Sequence, residues 1–209
     1  MTARSPLFLA LLVSAVAVSG YAIWGYGSGI QRAAVHPEMI RVFDAHRTLI
    51  TLHATCSVIA LIVGPFQFLP RLRARRPSAH RSLGYLYILL GVGIGGVSGL
   101  LLAFTAFGGF VSSAGFSLLA SLWLFTGARA LMTAKQRNFE LHRIWMIRNY
   151  ALAFAGVTIR IYLGLFFASG LKFEEFYLSL AWLCWVPNLI LVEWWLLRRG
   201  KAHTRNQPS

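Results

Sequence analysis

Six apolar runs, each close to the length that crosses a membrane, limit what this chain can fold into. A membrane-spanning α-helix needs about 20 consecutive, mostly apolar residues. Because only short loops remain between the runs, the sequence predicts an all-α, polytopic membrane helix bundle, with residues 1–209 forming a single membrane domain. The first run is predicted to be an uncleaved helix rather than a signal peptide, since it exceeds the usual length of a signal core. The predicted helices cover residues 7–26, 48–69, 82–106, 111–132, 149–169 and 176–197.

Lysine and arginine residues flank the apolar runs and give the chain a formal net charge of +14. Fifteen of them, including Arg4, fall on the side that holds both termini, and four, including Arg32, fall on the other side. Short loops rich in lysine and arginine stay in the cytoplasm. The asymmetry therefore predicts cytoplasmic termini, and it accounts for the basic charge without nucleic acid as a partner. The lipid bilayer is the expected surrounding of the chain.

Two local patterns predict how the helices pack. Gly91, Gly95 and Gly99 are spaced by four and lie on one helix face, which permits close approach of a neighbouring helix. Pro65 near the end of the second run removes one backbone hydrogen bond and leaves a carbonyl free to bind another group. The cysteines Cys56 and Cys184 lie inside apolar runs without metal-type spacing, so both are expected to be buried.

Arg160 is the only charged residue in the apolar part of the fifth run. A charge near the centre of a membrane helix is costly, and it usually faces a cavity, a ligand or a counter-charge. His53 in the second run has a predicted depth similar to that of Arg160, so we expect the two to share one polar cavity. A purely structural hydrogen bond is the alternative for each. The predicted ligand-binding set is completed by His46, Gln67 and Asn149.

Three histidines open similar segments where a loop enters an apolar run: His46, His80 and His142, each followed by arginine. The similarity is either a faint internal repeat or a coincidence. His80 and His142 begin alternate helices from the same side, and two such imidazoles can bind one haem iron from opposite faces. The sequence contains no nucleotide-binding loop, no HExxH motif and no Cys–His cluster.

Several segments together resemble the bacterial membrane family catalogued as domain of unknown function 2306. They are His53 with GPFQF at 64–68, HRSLGY at 80–85 with Tyr87, HRIWMIRNYA at 142–151, and VTIR at 157–160. The resemblance runs from about His46 to Leu163, and the first and last helices look generic. It implies a multi-helix protein of the bacterial inner membrane and no particular activity.

Three functions remain open from the sequence. The first is a protein that binds or moves a small anionic or lipid-like molecule at His53 and Arg160. The second is a b-type haem redox protein with His80 and His142 as axial ligands and nearby arginines at the propionates. The third is a membrane assembly factor in which these residues hold helices together.

Overall fold

A computed structural model describes residues 5–27, 39–170 and 172–205, and Arg4 and Arg32 of the charge count lie outside these ranges. The backbone of the described residues is helical and contains no strand. The helices are α1 (Pro6–Gly27), α2 (Ile40–Ala45), α3 (Arg47–Gln67), α4 (Pro70–Arg75), α5 (Pro77–Ala103), α6 (Gly109–Lys135), α7 (Phe139–Ala153), α8 (Ala155–Ser169), α9 (Phe173–Leu183) and α10 (Val186–Arg205).

Six helical stretches in this part of the chain are long and apolar enough to cross a membrane. They are α1, α3, α5, α6, the pair α7–α8, and the pair α9–α10. The prediction of an all-α membrane bundle with six spans is confirmed. A turn with left-handed backbone at Gly108 and Gly109 joins α5 to α6, as the glycine-rich sequence indicates.

The fifth span differs most from its predicted bounds, because α7 begins at Phe139 and not at Asn149. The Asn138 side chain starts the helix by accepting a hydrogen bond of 3.1 Å from the Leu141 backbone nitrogen. The prediction treats Arg148 as a helix boundary. In the structure this arginine lies within α7 and is neutralised by Glu193 of α10, so its charge does not end the span.

The third span also begins early, at Pro77 and not at Ser82. Proline suits the first position of a helix, where its missing N–H has no intrahelical partner to lose. Further along α5, residues Leu86–Ile94 form a π-helical segment, a wider helical form that often occurs at functional sites. This segment contains Tyr87, which is fully buried.

The glycine stripe of α5 packs against α3, as the spacing predicts. The stripe leaves no room for larger side chains, and α3 and α5 run antiparallel along it. A Cβ atom added at Gly91, Gly95 or Gly99 would lie 2.9, 3.3 or 2.8 Å from atoms of Ala60, Cys56 or His53, respectively. The two cysteines are buried and free, as expected.

The Gly64–Pro65 pair of α3 forms a notch for Tyr150 of α7. A Cβ atom at Gly64 would overlap the Tyr150 ring, so only glycine leaves space for it. Pro65 has no N–H to donate to the carbonyl of Leu61, four residues earlier. The Tyr150 hydroxyl donates to that carbonyl at 3.2 Å. The free carbonyl predicted from the proline therefore has its partner on another helix.

We call the end of the bundle that holds residues 67–81 and 134–143 the basic end. It contains the end of α3, the start of α5, the end of α6 and the start of α7. The other end, where α3 begins at Arg47 and α8 ends at Ser169, is called the opposite end. These two ends hold different sets of polar side chains.

Candidate functional site

Asn149 of α7 is fully buried and joins three membrane spans through its side-chain amide. Its Nδ2 donates to the Trp123 carbonyl at 2.7 Å and to the Thr126 hydroxyl at 2.8 Å, both on α6. Its Oδ1 accepts from the Tyr87 hydroxyl of α5 at 2.7 Å. Both amide protons are used within the protein. We call Tyr87, Trp123, Thr126 and Asn149 the Asn149 cluster.

His53 lies on α3, against the glycine stripe of α5. Its Nδ1 is 2.8 Å from the carbonyl oxygen of Gly95. Because a carbonyl only accepts, Nδ1 carries the proton, and Nε2 keeps the lone pair of the neutral ring. The ring fills the space that Gly99 leaves open. The imidazole is thus fixed in one orientation with Nε2 available to a ligand.

Arg160 lies on α8, and one guanidinium nitrogen donates to the carbonyl of Gly156 at 2.8 Å. The side chain has further interactions within the protein. Its charge acts on the His53 ring across the contact between α3 and α8. A Cβ atom at Gly156 would lie 3.4 Å from the end of the Leu61 side chain, so Leu61 of α3 packs over Gly156 of α8.

A small apolar cluster fixes the level at which α1, α3 and α8 meet. It contains Ala15, Leu61 and Val157, one buried residue from each helix. The rings of Phe8 and Phe66, with centroids 6.1 Å apart, show that α1 runs antiparallel to α3. Helices α1 and α8 therefore run in the same direction, away from the basic end.

One helical turn beyond this cluster, each of the three helices carries a polar side chain. Ser19 follows Ala15 by four residues on α1, Ser57 precedes Leu61 by four on α3, and Arg160 follows Val157 by three on α8. The hydroxyl oxygens of Ser19 and Ser57 are buried and find no hydrogen-bond partner within the described part of the chain. We call Ser19, Ser57 and Arg160, together with His53 one turn further along α3, the polar layer.

Sequence reasoning identified Arg160 and His53 but missed the two serines of the polar layer. Serine is common in apolar helices, where its hydroxyl usually binds a carbonyl of the same helix. The signal for Ser57 was its spacing of four residues from His53, which places both on one face of α3. No comparable signal pointed to Ser19.

The other predicted ligand-binding residues lie at other levels of the bundle. His46 precedes α3 and is seven residues from His53, about 10 Å along a helix axis. Gln67 is fourteen residues beyond His53 on α3, about 21 Å towards the basic end. Asn149 is eleven residues before Arg160, about 16 Å along α7 and α8. Of the predicted set, only His53 and Arg160 lie near the level at which α1, α3 and α8 meet, and the charge of Arg160 acts on His53. That the two share one cavity stays a prediction.

At the basic end, His80 and His142 lie close enough to interact electrostatically. The Nδ1 atom of His142 donates to the Ala130 carbonyl at 2.8 Å, which leaves its Nε2 available. Metal-binding histidines commonly have such a second hydrogen bond. His80 differs, because its buried Nδ1 has no partner among the described residues. The positive charge of Arg73 also acts on His80.

The haem hypothesis assigned nearby arginines to the propionates, and Arg148 is occupied elsewhere. Its Nε donates to one carboxylate oxygen of Glu193 at 2.5 Å, and a terminal nitrogen donates to the other oxygen at 2.8 Å. The same guanidinium lies over the Trp145 ring, 4.8 Å from its centroid. Arg148 is therefore engaged within the protein, and the binding of a haem by His80 and His142, with Arg81 or Arg143 at the propionates, stays a prediction.

In a comparison with protein families, the model of a predicted membrane protein family, DUF2306, matches residues 50–196. This chain belongs to the DUF2306 family. No curated protein and no solved structure matches it. The match confirms the resemblance seen in the sequence. It also continues beyond Leu163 into about the first half of α10, a helix that looked generic from the sequence.

The segment matched by DUF2306 contains most of the polar layer and the whole Asn149 cluster. It includes His53, Ser57 and Arg160 of the polar layer and all of the Asn149 cluster. Ser19 and His46 lie before the matched segment. The family-wide part of the fold thus carries most of the polar layer, and α1 contributes one further hydroxyl.

Proposed function

We propose that this DUF2306 protein binds a small anionic molecule with an apolar body, such as a lipid-like carboxylate or phosphate, at the polar layer. One observation carries the proposal: a membrane-embedded arginine and an oriented histidine are accompanied by two buried hydroxyls without partners among the described residues. Arg160 provides charge, and Ser19 and Ser57 can donate hydrogen bonds to an anionic head group. Buried polar groups without partners are rare in proteins, and a bound ligand or water accounts for them.

The position of the layer supports a ligand that comes from the bilayer. Helix α1 packs against α3 and α8 and has an exposed apolar face, with Val13 and Ile23 among its exposed side chains. The layer therefore lies behind a peripheral helix whose outer face is apolar, so a ligand with an apolar chain can approach it from the lipid. A soluble anion would have to cross apolar surface to reach the same depth.

Thermal unfolding of the detergent-purified protein tests the proposal. Laurate and dodecyl phosphate serve as anionic probes, and dodecanol serves as a neutral probe with the same chain length. We expect both anionic probes to raise the unfolding temperature of the wild-type protein. Arg160→Leu should lower the affinity for these probes by about tenfold or more, because a charge-assisted hydrogen bond is lost. If recognition is bidentate, Arg160→Lys will not restore binding.

Arg47→Leu is the matched control, since Arg47 is an exposed arginine on α3 at the opposite end. It removes the same charge outside the layer and should leave probe affinity within about twofold. The proposal would be contradicted if dodecanol stabilised the protein as much as the anionic probes do. It would also be contradicted if Arg47→Leu and Arg160→Leu lowered the probe affinity equally. The assembly-factor alternative predicts that Arg160→Leu destabilises the protein without probe while no probe stabilises the wild type.

The competing haem hypothesis concerns the basic end and has a separate test. The hydrogen bond between His142 and Ala130 favours it, whereas Arg73 beside His80 disfavours a metal ion. We expect protein from haem-supplemented cells to show no Soret band. A Soret band that shifts on reduction and is lost in both His80→Ala and His142→Ala would establish haem at this end.

We further propose that both termini face the cytoplasm of a bacterial inner membrane. The distribution of lysine and arginine, fifteen against four, supports this orientation. Reporter fusions after Ser209 and in the turn at Arg137 should both give a cytoplasmic signal. A periplasmic signal from either fusion would reverse the orientation and place the polar layer nearer the cytoplasm.

A further inference from the structure

A further polar region lies at the basic end around Gln67 and His80, and the proposed function does not use it. Gln67 at the end of α3 is 6% exposed, and its Nε2 has no hydrogen-bond partner in the described part of the chain. The same holds for the buried Nδ1 of His80 on α5. Each such atom carries a desolvation cost unless something binds it. Two of them at the same end of the bundle indicate a missing partner.

Gln67 packs against α5 one helical turn from His80. The oxygen of the Gln67 amide lies 3.4 Å from the position of a Cβ atom at Gly84. Gly84 follows His80 by four residues, so the two lie on one face of α5. The Gln67 amide therefore lies against α5 at Gly84, one helical turn from His80. One helical turn is about 5.4 Å, a distance that a phosphate group with its oxygens can bridge.

The charge around this region favours an anion over a metal ion. Arg73 of the short helix α4 acts electrostatically on His80, and His142 lies nearby on α7. Among the described residues, no group of three or more His, Cys, Asp or Glu side chains is placed to hold a metal ion. A cation next to the imidazole repels a metal and attracts a negative charge. Basic pockets between membrane helices commonly bind lipid phosphates.

We propose that Gln67, His80 and Arg73 form a binding site for a phosphate group at the basic end. The Gln67 amide and the His80 ring donate hydrogen bonds to phosphate oxygens, and Arg73 supplies charge. The site is separate from the polar layer, because Gln67 lies about 21 Å from His53 along α3. A phospholipid head group and free phosphate share this chemistry, so the source of the phosphate is decided by the experiment.

The test measures thermal stability of the detergent-purified full chain at fixed ionic strength. The probes are dioctanoyl phosphatidylglycerol, dioctanoyl phosphatidylcholine and inorganic phosphate, with chloride as the reference salt. We expect phosphatidylglycerol to stabilise the wild-type protein more than phosphatidylcholine does. Stabilisation by inorganic phosphate as well identifies a free-anion site, and stabilisation by phosphatidylglycerol alone identifies a lipid site. No stabilisation by either anionic probe overturns the proposal.

Substitutions assign any such effect to the site. Gln67→Met and Arg73→Gln should each lower the affinity for the stabilising probe by about tenfold, since each removes one interaction with a charged group. Arg75→Gln is the matched control, because Arg75 is an exposed arginine on the same short helix. It should change the affinity by less than about twofold. Equal weakening by Arg73→Gln and Arg75→Gln would reduce the effect to general surface charge and overturn the proposal.

Gln67→Glu separates an anion site from a metal site. The carboxylate keeps the length of the side chain and repels phosphate, so binding of the anionic probe should be lost. If the same variant instead gains stability with zinc ions and keeps its response to the anionic probe, the site is a metal site and the proposal is wrong. Arg160→Leu should leave the response to these probes unchanged, so this site and the polar layer are tested independently.

Discussion

The Asn149 cluster and the region around Gln67 and His80 are both buried and polar in the same bundle, yet they differ in how their hydrogen bonds are satisfied. In the Asn149 cluster, both amide protons and the carbonyl oxygen of Asn149 bind groups on neighbouring helices. Around Gln67 and His80, two buried atoms lack a partner within the described residues. The hydrogen bonds of the Asn149 amide are complete without a ligand, whereas those of Gln67 and His80 are not. Within the Asn149 cluster, the buried indole nitrogen of Trp123 also lacks a partner among the described residues.

This difference distinguishes Asn149 from Gln67, which residue type does not. Asn149 and Gln67 are both buried amides, and the sequence predicted ligand binding for both. The structure gives Asn149 a role in joining α5, α6 and α7. The Trp123 indole N–H lies beside the Tyr87 hydroxyl, although its geometry falls outside that of a hydrogen bond. Gln67 has no such role within the described contacts.

The largest expected effect is that of Asn149→Ala. The substitution removes three hydrogen bonds between helices, each worth about 0.6 kcal/mol on average in membrane proteins, so the free energy of unfolding should fall by about 2 kcal/mol. Reversible unfolding by SDS in mixed micelles measures it. Thr133→Val is the control, because the buried Thr133 hydroxyl binds only carbonyls of its own helix in the described contacts. A loss no larger than that of the control would show that the Asn149 cluster does not hold the spans together.

A smaller effect is expected for the Tyr150 hydroxyl. Tyr150→Phe leaves the Leu61 carbonyl without a donor, because Pro65 cannot supply one. The cost should lie between about 0.6 and 1.7 kcal/mol, the average and upper values for such bonds in membranes. In a Pro65→Ala background the backbone N–H at position 65 can bind the same carbonyl, and Tyr150→Phe should then cost almost nothing. An equal cost in both backgrounds would contradict this explanation of the Gly64–Pro65 notch.

Periodicity and local chemistry predicted the fold well. The six spans, the glycine stripe and the carbonyl freed by Pro65 follow from residue spacing and from what glycine and proline do to a backbone. Partners far apart in the chain were not predictable in the same way. Arg148 looked like a helix boundary because nothing in its neighbourhood shows that Glu193 faces it from α10. Because Glu193 neutralises Arg148, the charge does not end the helix, and the fifth span begins at Phe139 instead of Asn149.

The site was predicted less completely for the same reason. Charge made Arg160 conspicuous and the position of His53 matched it, but the two serines of the polar layer are ordinary by type. Their significance depends on the absence of a hydrogen bond, which only the arrangement of α1, α3 and α8 reveals. Gln67 and Asn149 looked alike in sequence because the residue type does not show how many hydrogen-bonding groups the neighbouring helices place beside the amide.

The smallest expected effect tests the comparison most directly. Gln67→Met replaces a buried amide by an apolar side chain of similar length. In the protein without ligand it removes an N–H group that has no partner in the described contacts, so the free energy of unfolding should stay unchanged or rise by up to about 1 kcal/mol. Asn149→Ala and Gln67→Met should therefore act in opposite directions when unfolding is measured in neutral detergent. If Gln67→Met instead destabilises the protein as much as Asn149→Ala does, Gln67 has a partner within the protein, and the main reason to assign a phosphate to the basic end is lost.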